Sequence, residues 1–373
     1  MLKHDHLRIA AYAIFIVTVL SLPVFFDEFW LNRASKYLVY GMLGIAISLC
    51  WGYAGILNLG QGLFFGAGAY MLGMSLKLAS PTSLQQGGAG PVPDFMLWNA
   101  EPGAVTDLCC INSGSYLWLP FQSQAFGFIM AIVLPVLLAF ILGSVMFRKG
   151  VSGVFISIIT LALVLLVRLL VVDAQALTGG FNGLTDLGGL TFGGYEFDPY
   201  SVATYYLAAV SLILILLGTR LLVNSRAGLV MQGIRDDENR AKYLGFDAAA
   251  YQTFFFCVSA AISGFAGLLY VVTSEFVSPT FMDLAFSISM VIWAAVGGRG
   301  SLLGACIGAI VINMLGATIS ESEVFVESWQ AIVGLFFVLV VLFMPNGMAG
   351  VVHGWCRRLT TKSSKSEIGG QLQ

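Results

Sequence analysis

The chain has 373 residues, 58% of them hydrophobic and only 10% charged, with a formal net charge of −2. A soluble domain carries about 25% charged residues, so water is excluded as the solvent for most of this surface. The near-neutral balance also gives no basic face for nucleic acid.

A helix needs roughly 20 apolar residues to cross a bilayer. The apolar runs here are long and continuous, which excludes the short alternating strands of a membrane barrel. In chain order the predicted spans are 9–26, 37–57, 60–79, 121–147, 151–172, 201–223, 251–273, 284–297, 301–320 and 328–345. The first follows Lys3 and Arg8. Its length, Pro23 and the Phe-Phe-Asp-Glu ending predict a retained helix rather than a cleaved signal peptide. The run 284–297 is short, a full span or a half-helix. The expected fold class is therefore an all-α polytopic membrane protein of about ten helices. Residues 1–358 form the membrane domain, with an outer loop at 80–120 and a cytoplasmic segment at 224–247. Residues 359–373 are polar, and their composition predicts a disordered cytoplasmic tail.

With the N-terminus placed in the cytoplasm, the inner connections collect Arg148, Lys149, the Arg220–Lys242 cluster, Arg299, Arg357, Arg358, Lys362 and Lys365. The outer connections 80–120, 173–200 and 321–327 hold acids and no Lys or Arg. Arg33, Lys36 and Lys77 fall on the outer side as exceptions. This is the positive-inside pattern, and it puts both termini in the cytoplasm.

Catalytic motifs are missing. No phosphate-binding G-x-x-x-x-G-K-[ST] loop, H-E-x-x-H zinc motif or G-x-S-x-G elbow occurs. Cys50, Cys257 and Cys306 sit in apolar runs as packing residues, whereas the adjacent Cys109 and Cys110 lie in the outer loop. No metal site is expected. The spans hold almost no acids, which argues against an ion-coupled carrier. Arg168 is the one clear intramembrane charge. It either snorkels or pairs with Asp173, or else it lines a substrate path.

Segment 224–247 reads NSRAGLVMQGIRDDENRAKYLGFD. Asn224 or Ser225 can cap a helix start and Gly245 its end. Arg226, Arg235, Arg240 and Lys242 balance Asp236, Asp237, Glu238 and Asp247. A membrane anchor would be net basic on its polar face, so a balanced surface helix suits a protein partner, with a solvated loop as the alternative. Glycines recur from Gly52 to Gly68 and again at Gly297, Gly298, Gly300, Gly304 and Gly308. Asn58 and Gln61 lie near a helix break. Such breaks mark substrate paths, and small residues also simply let helices pack closely.

Five ordered motifs carry a resemblance: Trp51-Gly-Tyr-Ala-Gly through Ala69-Tyr70, Thr178-Gly-Gly-Phe-Asn-Gly-Leu184, Gly233-Ile-Arg-Asp-Asp-Glu through Leu244-Gly245, Val296-Gly-Gly-Arg-Gly-Ser301 and Leu342-Phe-Met-Pro-Asn-Gly347. Together they resemble the second permease subunit of the branched-chain amino acid ABC importers. Pro93-Asp-Phe-Met96, Asn182-Gly-Leu-Thr-Asp186 and the stretch from Ser287 to Gly300 resemble the urea branch of that family. The Cys109-Cys110 insertion departs from it.

The resemblance implies a type II-like importer permease in a bacterial inner membrane, moving urea, with branched-chain amino acids as the alternative substrate. It further implies a homologous second permease, two cytoplasmic ATPase subunits that bind the ATP, and a periplasmic substrate-binding protein. This chain would hold no cofactor of its own and perform no covalent chemistry. By similarity, Gly233, Arg235, Asp236, Glu238, Leu244 and Gly245 would couple to the ATPase. Asn58, Gln61, Thr160, Asn182 and Trp293 are the candidate substrate-path residues. A self-sufficient channel would have no need of the 233–245 motif.

Overall fold

Long apolar runs form the helices, and polar residues at their edges start them. The computed structural model describes residues 2–80, 84–85, 91–92, 118–321, 334–335, 338, 347–348 and 350. The helices are α1 (Leu2–Ser21), α2 (Glu28–Ile47), α3 (Gln61–Ala79), α4 (Gln124–Arg148), α5 (Val154–Asp173), α6 (Gln175–Thr178), α7 (Val202–Asn224), α8 (Arg226–Asp236), α9 (Glu238–Tyr243), α10 (Ala248–Ser274), α11 (Leu284–Gly297) and α12 (Leu302–Ser320). Ser201, Asp247 and Ser301 cap α7, α10 and α12 by accepting from the backbone N–H of Thr204, Ala250 and Gly304. Each cap satisfies one of the amides that a helix start leaves without a partner.

Among the described residues, seven helices are long and apolar enough to cross a membrane, and the apolar helices at Ile9–Val24 and Leu284–Gly297 are shorter. Nine of the ten predicted spans thus fall on helices; most of 328–345 lies outside the described residues. So do most of the loop 80–120 with Cys109 and Cys110, the tail 359–373, and the motif at 342–347 apart from Gly347.

Helices α2, α3 and α10 form the centre, with 72%, 89% and 72% of their most apolar stretches buried, against 22% for α4 and α5. Glycine sets the central spacing. A Cβ on Gly68 would strike the backbone of Gly264, and one on Gly264 would lie 2.6 Å from the Ala131 carbonyl of α4. Close backbone approach of this kind replaces the hydrophobic effect, which lipid does not supply between helices. The outer connections carry the short antiparallel pairs β1 (Leu84–Gln85) with β2 (Pro91–Val92) and β3 (Leu190–Phe192) with β4 (Tyr195–Phe197). Leu184 and Val277 exchange backbone hydrogen bonds of 2.8 and 2.9 Å, which pins the loop after α5 to the end of α10.

Three expectations are corrected. The second span begins at Glu28 rather than 37, so Arg33 and Lys36 lie within α2. Arg33, in the second turn of that helix, pairs with Glu321 and rests over Phe29 and Trp30, 5.7 and 5.4 Å from their rings. The same span ends in a π-helical turn at Ser48–Tyr53, and residues 54–60 are not helical. Segment 224–247 is two helices. Asp237 leaves helical backbone geometry (φ −155°, ψ 97°) and its carboxylate caps α9 through the Arg240 N–H.

Candidate functional site

The break between α2 and α3 lies deep in the bundle. Gln61, the first residue of α3, donates from Nε2 to Ser259 Oγ (3.0 Å), to the Ser259 carbonyl (3.2 Å) and to Ser263 Oγ. Ser259 and Ser263 lie about 17 and 23 Å from the start of α10 at a rise of 1.5 Å per residue, close to the middle of that 27-residue helix. Helix α3 therefore begins near mid-depth, and residues 54–60 reach that depth without helical hydrogen bonds.

Irregular backbone at membrane depth persists only where protein groups or a water-filled cavity satisfy it. Here side chains supply the partners. Ser157 Oγ donates to the Leu57 carbonyl (2.7 Å), and Thr160 Oγ1 accepts from the Leu59 N–H (3.2 Å). Asn58 Oδ1 accepts from the Gly60 N–H (2.9 Å), and Asn58 Nδ2 donates to Gln61 Oε1 (2.5 Å). Gly60 is required, since a Cβ there would lie 2.5 Å from the Thr160 carbonyl. Ser287 Oγ of α11 is fully buried without a hydrogen-bond partner among the described residues, packed where a Cβ on Gly62 would sit. Gln61, Ser259, Ser263 and Ser287 have no exposure, and Asn58 and Thr160 have 3% each. The cluster combines amide and hydroxyl groups, with the buried Cys50 thiol beside Ser259, and its members include no carboxylate or cation. It can donate and accept hydrogen bonds but offers no counter-charge.

Of the predicted path residues, Asn58, Gln61 and Thr160 come together. Asn182 does not join them: it ends an exposed turn (Gly180–Asn182) in the outer connection. Trp293 is buried in an aromatic cluster, 5.2 Å from the Tyr40 ring and 6.0 Å from Phe286. Ser157, Ser259, Ser263 and Ser287 were missed by sequence reasoning. The four-residue spacing of Ser259 and Ser263, which puts them on one helix face, was the available signal.

Among the described residues Arg168 pairs with Asp283 rather than Asp173. Its Nε lies 3.1 Å from Asp283 Oδ1 at the start of α11. Arg168 shares a face of α5 with Ser157, Thr160 and Val164 by helical spacing, eight residues and about 12 Å outward of Thr160. Among the described residues, the ion pair on this face thus sits between the C-terminal end of α5 and the neutral cluster. Lys77, another outer-side cation, is buried in the last turn of α3 and donates to the Thr185 carbonyl at 2.8 Å.

At the other end of the break, Arg235 of α8 reaches into the bundle. Its Nη1 donates to the Gly52 carbonyl at 2.7 Å, while Nε and Nη2 hold Asp236 at 2.9 and 2.8 Å. Its Cγ fills the place of a Cβ on Gly55, whose φ of +71° favours glycine. The Gly297–Gly300 turn clamps the same stretch from its far side. Ser48 Oγ donates to the Arg299 carbonyl (2.9 Å), Tyr53 Oη donates to the Gly300 carbonyl (3.0 Å), and the Arg299 guanidinium lies 5.3 Å from the Trp51 ring.

Gly228, Met231, Ile234 and Ala241 seat 226–247 on the bundle, and most of its other residues are exposed or half-buried. Gly233, Asp236, Leu244 and Gly245 are exposed and Glu238 is half-buried in an ion pair with Lys242 (2.7 Å). Leu244 is 72% exposed, and Tyr243, overlooked in the sequence, is 92% exposed.

A sequence profile of the family described as branched-chain amino acid transport system, permease component, matches residues 29–342. The high-affinity branched-chain amino acid transport system permease proteins LivM of Escherichia coli and Salmonella typhimurium are 26% and 25% identical over 358 residues, covering 89% of this chain and 73% of each relative. A probable branched-chain amino acid transport permease protein LivM of Methanocaldococcus jannaschii is 23% identical over 83% of this chain and 90% of its own length. No solved structure matches.

Proposed function

The chain belongs to the permease-component family of branched-chain amino acid transport systems, and on that premise we propose that it is a membrane-spanning subunit of an ATP-driven importer whose substrate is urea. The observation that carries the reading is the mid-depth helix break. Its Asn58–Gln61–Ser259–Ser263 cluster is neutral, and Arg235 ties its inner end to a surface segment. Broken helices at the bilayer midplane are where transporters bind substrate. Urea is small, uncharged and both donor and acceptor, so amide and hydroxyl groups match it without a counter-charge. The urea-like motifs at Pro93–Met96 and Asn182–Asp186 support the same substrate.

The proposed assembly has a second homologous permease completing the path, two ATPases docking on 226–247, and a periplasmic binding protein delivering substrate from the outer face. About ten crossings in a type II-like arrangement, in a bacterial inner membrane, belong to this reading. An ATPase docked at Asp236, Glu238, Tyr243 and Leu244 would move α8 as it binds ATP, and Arg235 would pass that motion to Gly52 and the break. A second reading, import of branched-chain amino acids, is favoured by the names of the relatives. Its structural support is the Arg168–Asp283 pair, which offers both charges that a zwitterion needs.

ATP-dependent uptake of labelled urea and leucine by the reconstituted complex tests the proposal. Urea uptake that requires both ATP and this chain is expected. Leucine uptake without urea uptake would transfer the assignment to the second reading, and ATP-independent flux through this chain alone would overturn both.

A further inference from the structure

We propose that the outward groove between α4 and α10 is a binding site for one acyl chain of an anionic phospholipid, with the phosphate held by Arg148. The groove has a volume of about 770 Å³ and an almost wholly apolar lining. It exists because of residue size. On α10, Ala249, Ala250 and Ala261 are too small to fill the surface, and on α4 Ser144 leaves the same gap. Phe140 and Phe254, 55% and 48% exposed, stand as its walls. Behind it, the two helices are held together where Gly143 meets Thr253 and Phe256 and where Gly264 meets Pro135, so the groove is not closed by rotating them.

The lining runs along α4 from Ile132 to Arg148. At 1.5 Å per residue that is about 24 Å, most of the ~30 Å hydrocarbon thickness, which suits a chain lying along the bilayer normal. The two ends differ in chemistry. One is lined by Ile132, Val133 and Ala261, the other by Ser144 and Arg148. Arg148 lies in the last turn of α4 and makes no ion pair among the described residues, and Lys149 follows it. The same end of the bundle carries α8 and α9 within segment 224–247, whose charges balance, which leaves Arg148 and Lys149 as cations beside the groove. A groove apolar along its length and cationic at its interfacial end fits a lipid whose headgroup is an anion. A helix of a protein partner would need an acid at that one position. Arginine is the residue type that holds phosphate through paired N–H groups.

The test uses the full-length chain in nanodiscs, alone and co-reconstituted with a second permease, with bound lipid counted by native mass spectrometry after delipidation. Phosphatidylglycerol is expected to be retained over phosphatidylcholine. Arg148→Gln should weaken that retention about fivefold, as loss of one interfacial cation implies, while Arg148→Lys keeps most of it. Lys149→Gln, outside the groove, should change it little. Ala250→Trp should reduce retention of phosphatidylglycerol while leaving insertion and helix content intact. Equal effects of Arg148→Gln and Lys149→Gln would show surface electrostatics only and overturn the site. Loss of the lipid when the second permease is added would also overturn it, making the groove a permease interface.

Discussion

Two stretches of this chain interrupt its helices, and they handle polarity in opposite ways. Residues 54–60 break the path between α2 and α3 inside the bundle, where Ser157, Thr160, Asn58 and Gln61 take up polar groups that helix geometry leaves free. Segment 226–247, interrupted at Asp237 between α8 and α9, lies at the surface, where Asp236, Tyr243 and Leu244 remain exposed. In hydrocarbon an unpaired polar group is costly, so the inner break pairs its polar groups within the protein, with Ser287 Oγ the exception. In water the same groups carry no such penalty and remain free to meet a partner. Arg235 belongs to both, with one nitrogen on Gly52 and the others on Asp236.

The inner network offers the largest expected effect. Gln61→Leu removes the donor to Ser259 and Ser263 and the acceptor for Asn58 at once. Each buried polar group left unpaired costs about 1–3 kcal/mol. Uptake should fall at least about tenfold with a lowered unfolding temperature, whereas unchanged uptake would mean the cluster is packing only.

Arg235→Gln cuts the link between the two breaks. A hydrogen bond to a charged group contributes about 1.5–3 kcal/mol, so ATP-driven uptake should fall roughly tenfold while co-purification of the ATPases persists. Reversing charge at Asp236 and Glu238 should do the opposite and weaken ATPase assembly first. If both variants lose assembly equally, Arg235 is a docking residue and not a transmitter.

The Arg168–Asp283 pair sharpens the question of substrate. Under the urea reading, Asp283→Asn should change the KM for urea by no more than about twofold, as for a partly exposed pair. Under the amino acid reading, the KM for leucine should rise about tenfold or more, because a buried charge on the zwitterion would lose its partner.

The smallest effect is at the outer end. Burial, with Asp198 and Glu196 nearby, raises the Glu275 carboxyl above its ordinary value. A carboxyl raised in the folded state binds its proton more tightly there than when unfolded. Stability is then greater below the ordinary value and declines as pH rises through the raised one. Glu275→Gln should flatten that slope in thermal unfolding measured across mildly acidic pH.

The helices were legible because lipid demands long apolar runs, and no other part of the chain imitates them. Their edges were less so. The start of α2 at Glu28 was obscured by Arg33 and Lys36; the charge of Arg33 is tolerated through Glu321 and the aromatic rings of Phe29 and Trp30. Asn58, Gln61 and Thr160 were legible as neutral polar residues in an apolar context, and two of them stood beside a glycine-rich break. Asn182 and Trp293 looked similar but lie apart from the cluster, one on an exposed turn and one among aromatic rings. The family motif Thr178–Leu184 proved to hold the outer loop against Val277.

Composition and hydropathy alone determined that this protein lives in a bilayer, that it crosses many times, and that its charged segment near 235 lies outside the apolar core, since transfer free energy is a property of local sequence. Only the tertiary structure decided that Gln61 meets Ser259, that Arg168 meets Asp283 and that Arg235 meets Gly52. Those pairs are separated by more than a hundred residues in the chain. Their contact depends on which glycines let which helices approach, and no local pattern encodes that.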